Sequence, residues 1–375
     1  MSDNLPIEIQ MEIMLRLPVK SLIKFRSVSK ACKSMIDSSD FAALYSTHHT
    51  QQQHLLVTYE EPPDYKTHFI SISDDHTFPQ KVYPTVPLLL QMLTHSSVIA
   101  SDYGLVCMHG TYSTTCGGSF SKTDIVVIWN ISIRRAIPIV VPKMEDRMYG
   151  TSVGFGVCRA TKDPKIVKIT YVRNTDMEKV SCIPSQVEVF TVSAGAWRRP
   201  YKNLPGKSIK FLWLWEQEAV DGFLYWRAID MKTRTCMDDG YKSYNLIISF
   251  DLTTEEFREV NLPRSLEHVS IYDYSMSKLK ESLVVLHRGV EANTSMIDVW
   301  MMEDGVSKLF TKLYTINVNI PNAIINLNAI RNLPGARVQG FRKSGEPIIE
   351  VLEDNHPSYG LFMLQLMIFR KPLNI

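Results

Sequence analysis

The stretch LPIEIQMEIMLRLPVKSLIKFRSVSKACKSMI, residues 5–36, decides the architecture of the N-terminal part of the chain. Its two Leu-Pro pairs bracket a short apolar segment with helical spacing. Proline suits the first turn of a helix and forces the residue before it out of helical geometry. A second apolar stripe follows, and Ser29 is placed to cap a third helix. The segment is therefore predicted to form three short helices.

A segment of about 40 residues rarely buries its own apolar side chains without a disulfide, a metal or a partner. This one contains a single cysteine and no metal-ligand spacing. We therefore expect its exposed apolar face to bind another protein. Basic residues lie between the apolar stripes, which leaves open a simpler interpretation: an ordinary helical hairpin with a solvated charged face.

The order and spacing of LP…LPVKSL…F…VSK resemble the F-box motif over residues 3–42. This resemblance implies that a Skp-type adaptor binds here. We expect the adaptor contacts at Leu5, Pro6, Leu17, Pro18, Val19, Leu22 and Val28. Many relatives have tryptophan where this chain has Cys32, and the loss of that apolar anchor is expected to weaken adaptor binding by roughly 1–2 kcal/mol.

Composition indicates a globular intracellular protein. The 375 residues are 45% hydrophobic and 21% charged, with a net charge of +2. That charge is far below the values typical of nucleic-acid binders, so no nucleic-acid partner is expected. No secretory signal pattern or apolar run of about 18 residues is found, so no membrane partner is expected either. The 6 scattered cysteines are typical of reduced thiols in the cytoplasm or nucleus.

The hydrophobic pattern of the sequence changes from helical spacing to short strands after a polar stretch at residues 46–54. We interpret this stretch as a linker between an F-box at 1–45 and a β region at 55–375. In the β region, short apolar runs alternate with turn residues. Residues 125–129 form a continuous apolar run, as in a strand that is covered on both faces. Leu88–Thr94 is the best candidate for a helix in this part of the chain.

A degenerate repeat runs through the β region, in which a strand ends in an aromatic residue and a polar turn and another strand follow. The aromatic residues recur at intervals of roughly 50–60 residues, near the period of propeller repeats; they are Trp129, Phe190, Phe250 and Trp300. Four-stranded blades of a β-propeller would explain this pattern. A β-sandwich built from meanders would explain it nearly as well.

Residues 95–320 also resemble the kelch-like F-box-associated domain of plant F-box proteins, a family that includes the S-locus F-box proteins of pollen. The resemblance rests on Gly104–Cys107, Asp221–Trp226, IISFDLTTEEFREVNLP at 247–263 and IDVWMMED at 297–304. It implies the substrate receptor of a Skp–cullin–F-box ubiquitin ligase. Its partners would be the adaptor, cullin through that adaptor, and a target protein that the sequence does not identify.

No catalytic, cofactor or metal motif is found, so we expect a non-catalytic adaptor without a cofactor or a metal. Gly154-Phe-Gly156 lacks the third glycine of a nucleotide-binding loop, and the histidines at 48, 49 and 54 are interpreted as a polar tract. An aromatic-rich stretch at 213–226 is interpreted as core packing or as a recognition surface.

Two other functions stay open at this point: a carbohydrate- or ligand-binding receptor and, less favoured, a propeller enzyme. Each would need a convergent group of polar side chains on one face. For a protein target, the expected contact regions are loops, because binding residues concentrate there. The candidate loops are 109–123, 173–185, 231–243 and 288–296.

Overall fold

The structure of the chain is a computed structural model. The structure describes residues 5–17, 19–38, 41, 44–45, 53–61, 66–75, 77–116, 119–131, 134–142, 149–172, 186–200, 209–211, 217–237, 240–270, 273–291, 294–303, 309–318, 336–351 and 365–370.

Short helices form the start of the chain, and one further helix precedes the second sheet. Their bounds are α1 Ile7–Leu15, α2 Val19–Phe25, α3 Lys30–Ile36 and α4 Leu88–Gln91. Helix α1 ends two residues before Leu17, as the Leu-Pro pair predicts. The Ser29 side chain accepts a hydrogen bond from the Cys32 backbone N–H at 3.1 Å, which confirms the predicted cap of α3.

Strands make up most of the remaining described residues. The first eleven are β1 Gln53–Glu61, β2 Lys66–Ser73, β3 Lys81–Val82, β4 Thr94–Asp102, β5 Leu105–Cys116, β6 Ser119–Asn130, β7 Arg135–Val140, β8 Tyr149–Val157, β9 Pro164–Val172, β10 Gln186–Thr191 and β11 Ala196–Arg198. The others are β12 Ile209–Phe211, β13 Gln217–Val220, β14 Phe223–Met237, β15 Gly240–Asp251, β16 Phe257–Val260, β17 Tyr274–Leu279, β18 Ser282–Glu291, β19 Thr294–Met302, β20 Phe310–Val318, β21 Ala336–Phe341, β22 Pro347–Val351 and β23 Gln365–Arg370. Strand β1 thus begins inside the stretch interpreted as a linker.

The sheets are antiparallel meanders in which neighbours in sequence are neighbours in space. The four-stranded orders β4-β5-β6-β7, β11-β10-β9-β8 and β17-β18-β19-β20 are strictly sequential. In the sheet β12-β14-β15-β16, strand β13 also pairs with β14. Successive four-stranded meanders of this kind are the blades expected of a β-propeller. The arrangement therefore confirms the mainly β, propeller-like class.

One sheet is built from both ends of the β region. Its order is β23-β1-β2-β3, so the last described strand pairs with the first. The antiparallel register runs from Gln53 opposite Arg370 to Thr58 opposite Gln365. The backbone hydrogen bonds of this sheet therefore join the two ends of the β region.

The predicted repeat corresponds to one meander. Each of the four recurring aromatic residues lies on the third strand of its sheet, opposite a residue of the fourth strand; the pairs are Trp129–Ala136, Phe190–Trp197, Phe250–Phe257 and Trp300–Lys312. Trp129 and Phe250 are completely buried. Phe190 is buried as well, and Trp300 is partly buried against the core of its sheet. A large ring packed at the same place in these four sheets explains why the aromatic spacing is detectable in the sequence.

The chain divides into two compact units. The first comprises residues 1–96, 101–141 and 365–375, and the second comprises residues 97–100 and 142–364. The three N-terminal helices and the sheet shared by both chain ends belong to the first unit. No helix within the described ranges is both long and apolar enough to span a bilayer.

Candidate adaptor-binding surface

The N-terminal helices form a small core of their own. Its buried members come from α1, α2, α3 and the two helical positions that follow; they are Met14, Leu15, Leu22, Met35, Ile36, Phe41 and Tyr45. Met11, Leu17 and Cys32 are partly buried against this cluster. The segment therefore buries more of its apolar residues than its length predicts.

A second set of apolar side chains in the same segment stays exposed. It comprises Leu5, Ile7, Ile9, Ile13, Ile23, Phe25, Val28 and Leu44. Ile7 is 60% exposed and Val28 is 69% exposed. Single exposed apolar residues are ordinary, but a concentration of them is typical of a protein–protein interaction site.

Helix α1 shows why this segment needs a partner. Met14 and Leu15 point into the core, whereas Ile9 and Ile13, one turn apart, are exposed. An apolar face of a helix is normally buried against another element. In this chain only one side of α1 is covered, so the other side is available for another protein.

The structure separates the seven predicted adaptor contacts. Leu5, Pro6 and Val28 are exposed, and Leu17 is half-buried. Leu22 has 0% exposure and lies inside the helical core, where it stabilises the segment. Pro18 lies outside the described residues, and the side chain of Val19 is also outside them. Adaptor contact by these residues remains a prediction.

Sequence reasoning missed the exposed pair Ile9 and Ile13. Their spacing of four residues was a detectable signal, but the neighbouring buried positions already satisfied the helical pattern. It also missed Tyr45, whose hydroxyl donates a hydrogen bond to the Leu17 carbonyl at 2.8 Å. No sequence pattern indicates a contact between residues 28 positions apart.

Charged side chains surround these helices. Arg26 at the end of α2 pairs with Asp37 after α3 at 2.6 Å, and Arg16 pairs with Glu12 at 2.7 Å. Both pairs are substantially exposed, so each contributes at most about 1 kcal/mol to stability. Lys24, Lys30 and Lys33 are exposed as well. The basic surface expected from the sequence is thus present beside the apolar one.

The Gly154-Phe-Gly156 stretch serves packing. A Cβ atom built on Gly154 would collide with the indole ring of Trp226 and lie 2.9 Å from Gln217 Oε1. Gln217 in turn accepts a hydrogen bond from the Phe155 N–H and donates one to the Phe155 carbonyl, at 3.3 and 3.2 Å. The glycine allows a tryptophan to approach the strand closely, which agrees with the interpretation that it is not a nucleotide loop.

The aromatic-rich stretch at 213–226 is described only in part. Tyr225 and Trp226 are buried in two different core clusters, so for them the packing interpretation is correct. Trp213 and Trp215 lie outside the described residues, as do His48 and His49. No group of three potential metal ligands is found within the described ranges.

The second unit contains an ion network that the sequence does not reveal. Lys165 Nζ, at the start of β9, donates to the Leu252 carbonyl at 2.7 Å and to Glu255 Oε1 at 2.8 Å. Arg198 of β11 donates to Glu255 Oε2 at 2.7 Å. Burial by itself raises the pKa of Glu255, but the hydrogen bonds from Arg198 and Lys165 and their charges lower it overall. This network joins two neighbouring sheets.

A buried lysine on the same strand, Lys168, is 1% exposed and donates to Glu188 Oε2 at 2.7 Å. The alternation of polar and apolar residues along β9 indicates a strand with one solvated face. The face that carries Lys168 and Thr170 is in fact buried too, and Glu188 satisfies the lysine there.

Three of the four predicted loops are β-hairpin ends. Strands β5 and β6 pair as far as Cys116 and Ser119, and β14 and β15 pair as far as Met237 and Gly240. Strands β18 and β19 pair as far as Glu291 and Thr294. Each prediction of a loop was therefore wrong for most of its residues, because these residues belong to paired strands. The fourth predicted loop, 173–185, lies outside the described residues.

Comparisons with known proteins agree with this architecture. A family described as the F-box associated beta propeller domain matches residues 95–335, and the F-box domain matches residues 2–43. F-box protein CPR1 of Arabidopsis thaliana is 24% identical over 341 residues, covering 88% of this chain and 76% of that protein. F-box protein At3g07870 of the same plant is 22% identical over 339 residues, covering 86% of this chain and 75% of that protein.

Solved structures add little to this assignment. The β-propeller domain of the Trilobed protease from Pyrococcus furiosus covers 63% of this chain and 59% of that chain, with 14% identity and a TM-score of 0.34. A TM-score this low does not support a family assignment. The propeller-domain match alone, in contrast, spans more than half of the residues. The chain therefore belongs to the family of F-box proteins that carry an F-box-associated β-propeller domain.

Proposed function

We propose that the chain is the substrate-recognition subunit of a Skp–cullin–F-box ubiquitin ligase, which directs a target protein to ubiquitination and degradation. The observation that carries this proposal is the exposed apolar set on the N-terminal helices. These side chains lie outside a helical core that is already complete, so their burial requires a second protein. A Skp-type adaptor is the partner that the F-box implies, and cullin would be reached through it.

The two parts of the chain would divide the work. The F-box would hold the ligase and the β region would hold the target, so that lysines of the target stay close to the ubiquitin-loaded enzyme. Such an arrangement accelerates transfer by raising the effective concentration of the reacting groups. The F-box relatives support this non-catalytic role.

We place target recognition at the connections between the two central strands of the sheets. Each of the four predicted contact regions includes one of these connections, between β5 and β6, β9 and β10, β14 and β15, and β18 and β19. In an antiparallel meander, these connections leave the sheet at the end opposite to the other two hairpin turns. They would therefore present the same end of the strands in each sheet to a target.

The adaptor contact can be tested by introducing charge into the exposed apolar set. Replacement of Phe25 and Val28 together by aspartate should abolish co-precipitation of a purified Skp-type adaptor. The expected loss of affinity exceeds 100-fold, because two anchors of about 2 kcal/mol each are removed and charges are buried in their place. Combined replacement of Leu17 and Pro18 by alanine should have the same consequence.

A matched control uses exposed leucines of the second unit. Leu309→Asp with Leu313→Asp introduces the same charge on side chains that are also exposed. This control should bind the adaptor as the wild type does. Equal binding by the Phe25/Val28 variant, with circular dichroism showing that it is folded, would refute the adaptor contact.

The role of the β region is tested separately. A chain without residues 1–45 should still bind the target and should protect it from degradation. Proteins captured by the full chain when the proteasome is blocked, and identified by mass spectrometry, supply the target. Replacement of Met231–Ser243 by a Gly/Ser segment should weaken target binding while adaptor affinity is unchanged; unchanged target degradation would refute this contact region.

A further inference from the structure

The carbonyl group of Leu17 lacks a helical partner. Helix α1 ends at Leu15, and the Leu17 N–H still donates to the Met14 carbonyl at 3.1 Å. The next residue is proline, which cannot continue the helix and disfavours helical geometry at the residue before it. The Leu17 carbonyl therefore lies beyond the hydrogen-bond pattern of α1 and can accept from a donor elsewhere in the chain.

Tyr45 supplies that donor. Its hydroxyl lies 2.8 Å from the Leu17 oxygen, across 28 residues of sequence. The ring is buried in the helical core and stacks on Phe41, with centroids 5.8 Å apart and an interplanar angle of 23°. Burial raises the pKa of Tyr45 to about 12, so the phenol keeps the proton that it donates over the physiological range.

The position of Tyr45 in the sequence makes this contact informative. The F-box match ends at residue 43, so Tyr45 lies beyond it. The ring and the hydroxyl have separable tasks, because the ring packs against Phe41 and the hydroxyl contacts the corner at Leu17. The Leu17-Pro18 pair at that corner is among the positions expected to contact the adaptor.

We propose that Tyr45 is a positioning residue of the adaptor-binding surface, whose hydroxyl fixes the backbone at Leu17, next to Pro18 in the sequence, in the orientation that the adaptor binds. This inference rests on the proposed function. It extends the functional F-box of this chain two residues past the family match. Tyr45 itself is buried, so it would act through Leu17 and Pro18 and would not touch the adaptor.

Tyr45→Phe is the conservative test, since it removes the hydroxyl and keeps the ring. We expect the affinity of the full chain for the adaptor to fall about tenfold. A loss of this size corresponds to the free energy of one hydrogen bond. The thermal midpoint of the full chain should change little, because the stacking on Phe41 is retained. Tyr83→Phe, at an exposed tyrosine, is the matched control and should bind as the wild type does.

A double-mutant cycle distinguishes positioning from a general loss of stability. Pro18→Ala should weaken adaptor binding by itself. If Tyr45 acts through the corner, the combined Tyr45→Phe/Pro18→Ala variant should bind about as weakly as Pro18→Ala alone. A role in stability alone would instead multiply the two losses and would lower the thermal midpoint in step with affinity.

The outcomes separate this inference from the proposed function. If the wild-type chain binds the adaptor but Tyr45→Phe keeps full affinity, the positioning role is overturned and the adaptor contact stands. Losses of affinity that multiply in the combined variant would lead to the same conclusion. A wild-type chain that does not bind a purified Skp-type adaptor would overturn the proposed function and the positioning role together. The positioning role would be established if Tyr45→Phe lowers adaptor affinity at an unchanged thermal midpoint and the losses in the double-mutant cycle do not multiply.

Discussion

The N-terminal helices and the sheets of the second unit differ in the share of their large apolar side chains that stays exposed. Among the described residues, the helices leave Ile9, Ile13 and other large apolar side chains exposed. The sheets of the second unit bury even lysines, because Glu255 and Glu188 of the same unit satisfy them. The helical segment thus concentrates exposed apolar side chains, whereas the described part of the larger second unit leaves few of them exposed and pairs its buried lysines internally. This difference indicates which part of the chain is built to join an assembly.

The largest expected effect comes from equal truncations in the two regions. Leu22 and Leu283 are both completely buried, one in the helical core and one in a sheet core. Each Leu→Ala replacement should cost about 2–5 kcal/mol of the stability of its own region. Adaptor binding should be lost for Leu22→Ala and retained for Leu283→Ala, as measured by titration with purified adaptor. Loss of binding in both variants would contradict the division of the chain into two independent roles.

A smaller effect is expected where a glycine makes room for a ring. Gly154→Ala should lower the free energy of unfolding of the β region by about 1–3 kcal/mol, because the new methyl group collides with the buried Trp226. Gly289→Ala is the control, since a Cβ atom there meets nothing within 4 Å. Denaturant titration followed by tryptophan fluorescence measures both. Equal stability of the two variants would show that the sheet can relax around Trp226.

The ion network of the sheets predicts a pH dependence. The pKa of Glu255 is lowered in the folded chain, since the hydrogen bonds and charges of Arg198 and Lys165 outweigh burial. Its contribution to stability is therefore present above the unfolded-state pKa of about 4.3 and is lost as the pH falls through the lower folded-state value. Glu255→Gln should lower stability at pH 7 and flatten its decline in acid. Glu267→Gln, a change of the same kind outside this network, is the control; a wild-type profile for Glu255→Gln would contradict the network.

The smallest effect concerns the helix cap. Ser29→Ala should cost the F-box about 1 kcal/mol because the Cys32 N–H loses its acceptor, whereas Ser29→Gly should cost only a few tenths. Ser34→Ala, on the exposed side of the same helix, is the control. Circular dichroism at 222 nm during thermal unfolding is the measurement. A cost for Ser34→Ala equal to that for Ser29→Ala would argue against the capping role.

The local features of the fold were predictable because each leaves a short-range signal. The second Leu-Pro pair predicts the end of α1, and Ser29 predicts the start of α3. Each recurring aromatic residue indicates one meander. The two hydrophobic periods distinguish the helical segment from the β region. The class of fold and the F-box position therefore follow from the sequence alone.

Features that depend on distant pairs were not predictable. Lys165 is buried because Glu255, 90 residues away, contacts it. The Leu17 carbonyl is satisfied by Tyr45, and neither residue shows a pattern that reveals the other. Helix α1 is apolar on two sides, so periodicity cannot tell which side faces the core. The hairpin ends were interpreted as loops because their polar residues lack the alternation of a half-buried strand.

The central claim is that the adaptor binds the helical segment and leaves the β sheets free for a target. Hydrogen–deuterium exchange of the full chain, with and without a purified Skp-type adaptor, tests it most directly. We predict slower exchange in residues 5–38 on binding and unchanged exchange in the β8–β11 sheet. Protection in the β8–β11 sheet with unchanged exchange in residues 5–38 would contradict the claim.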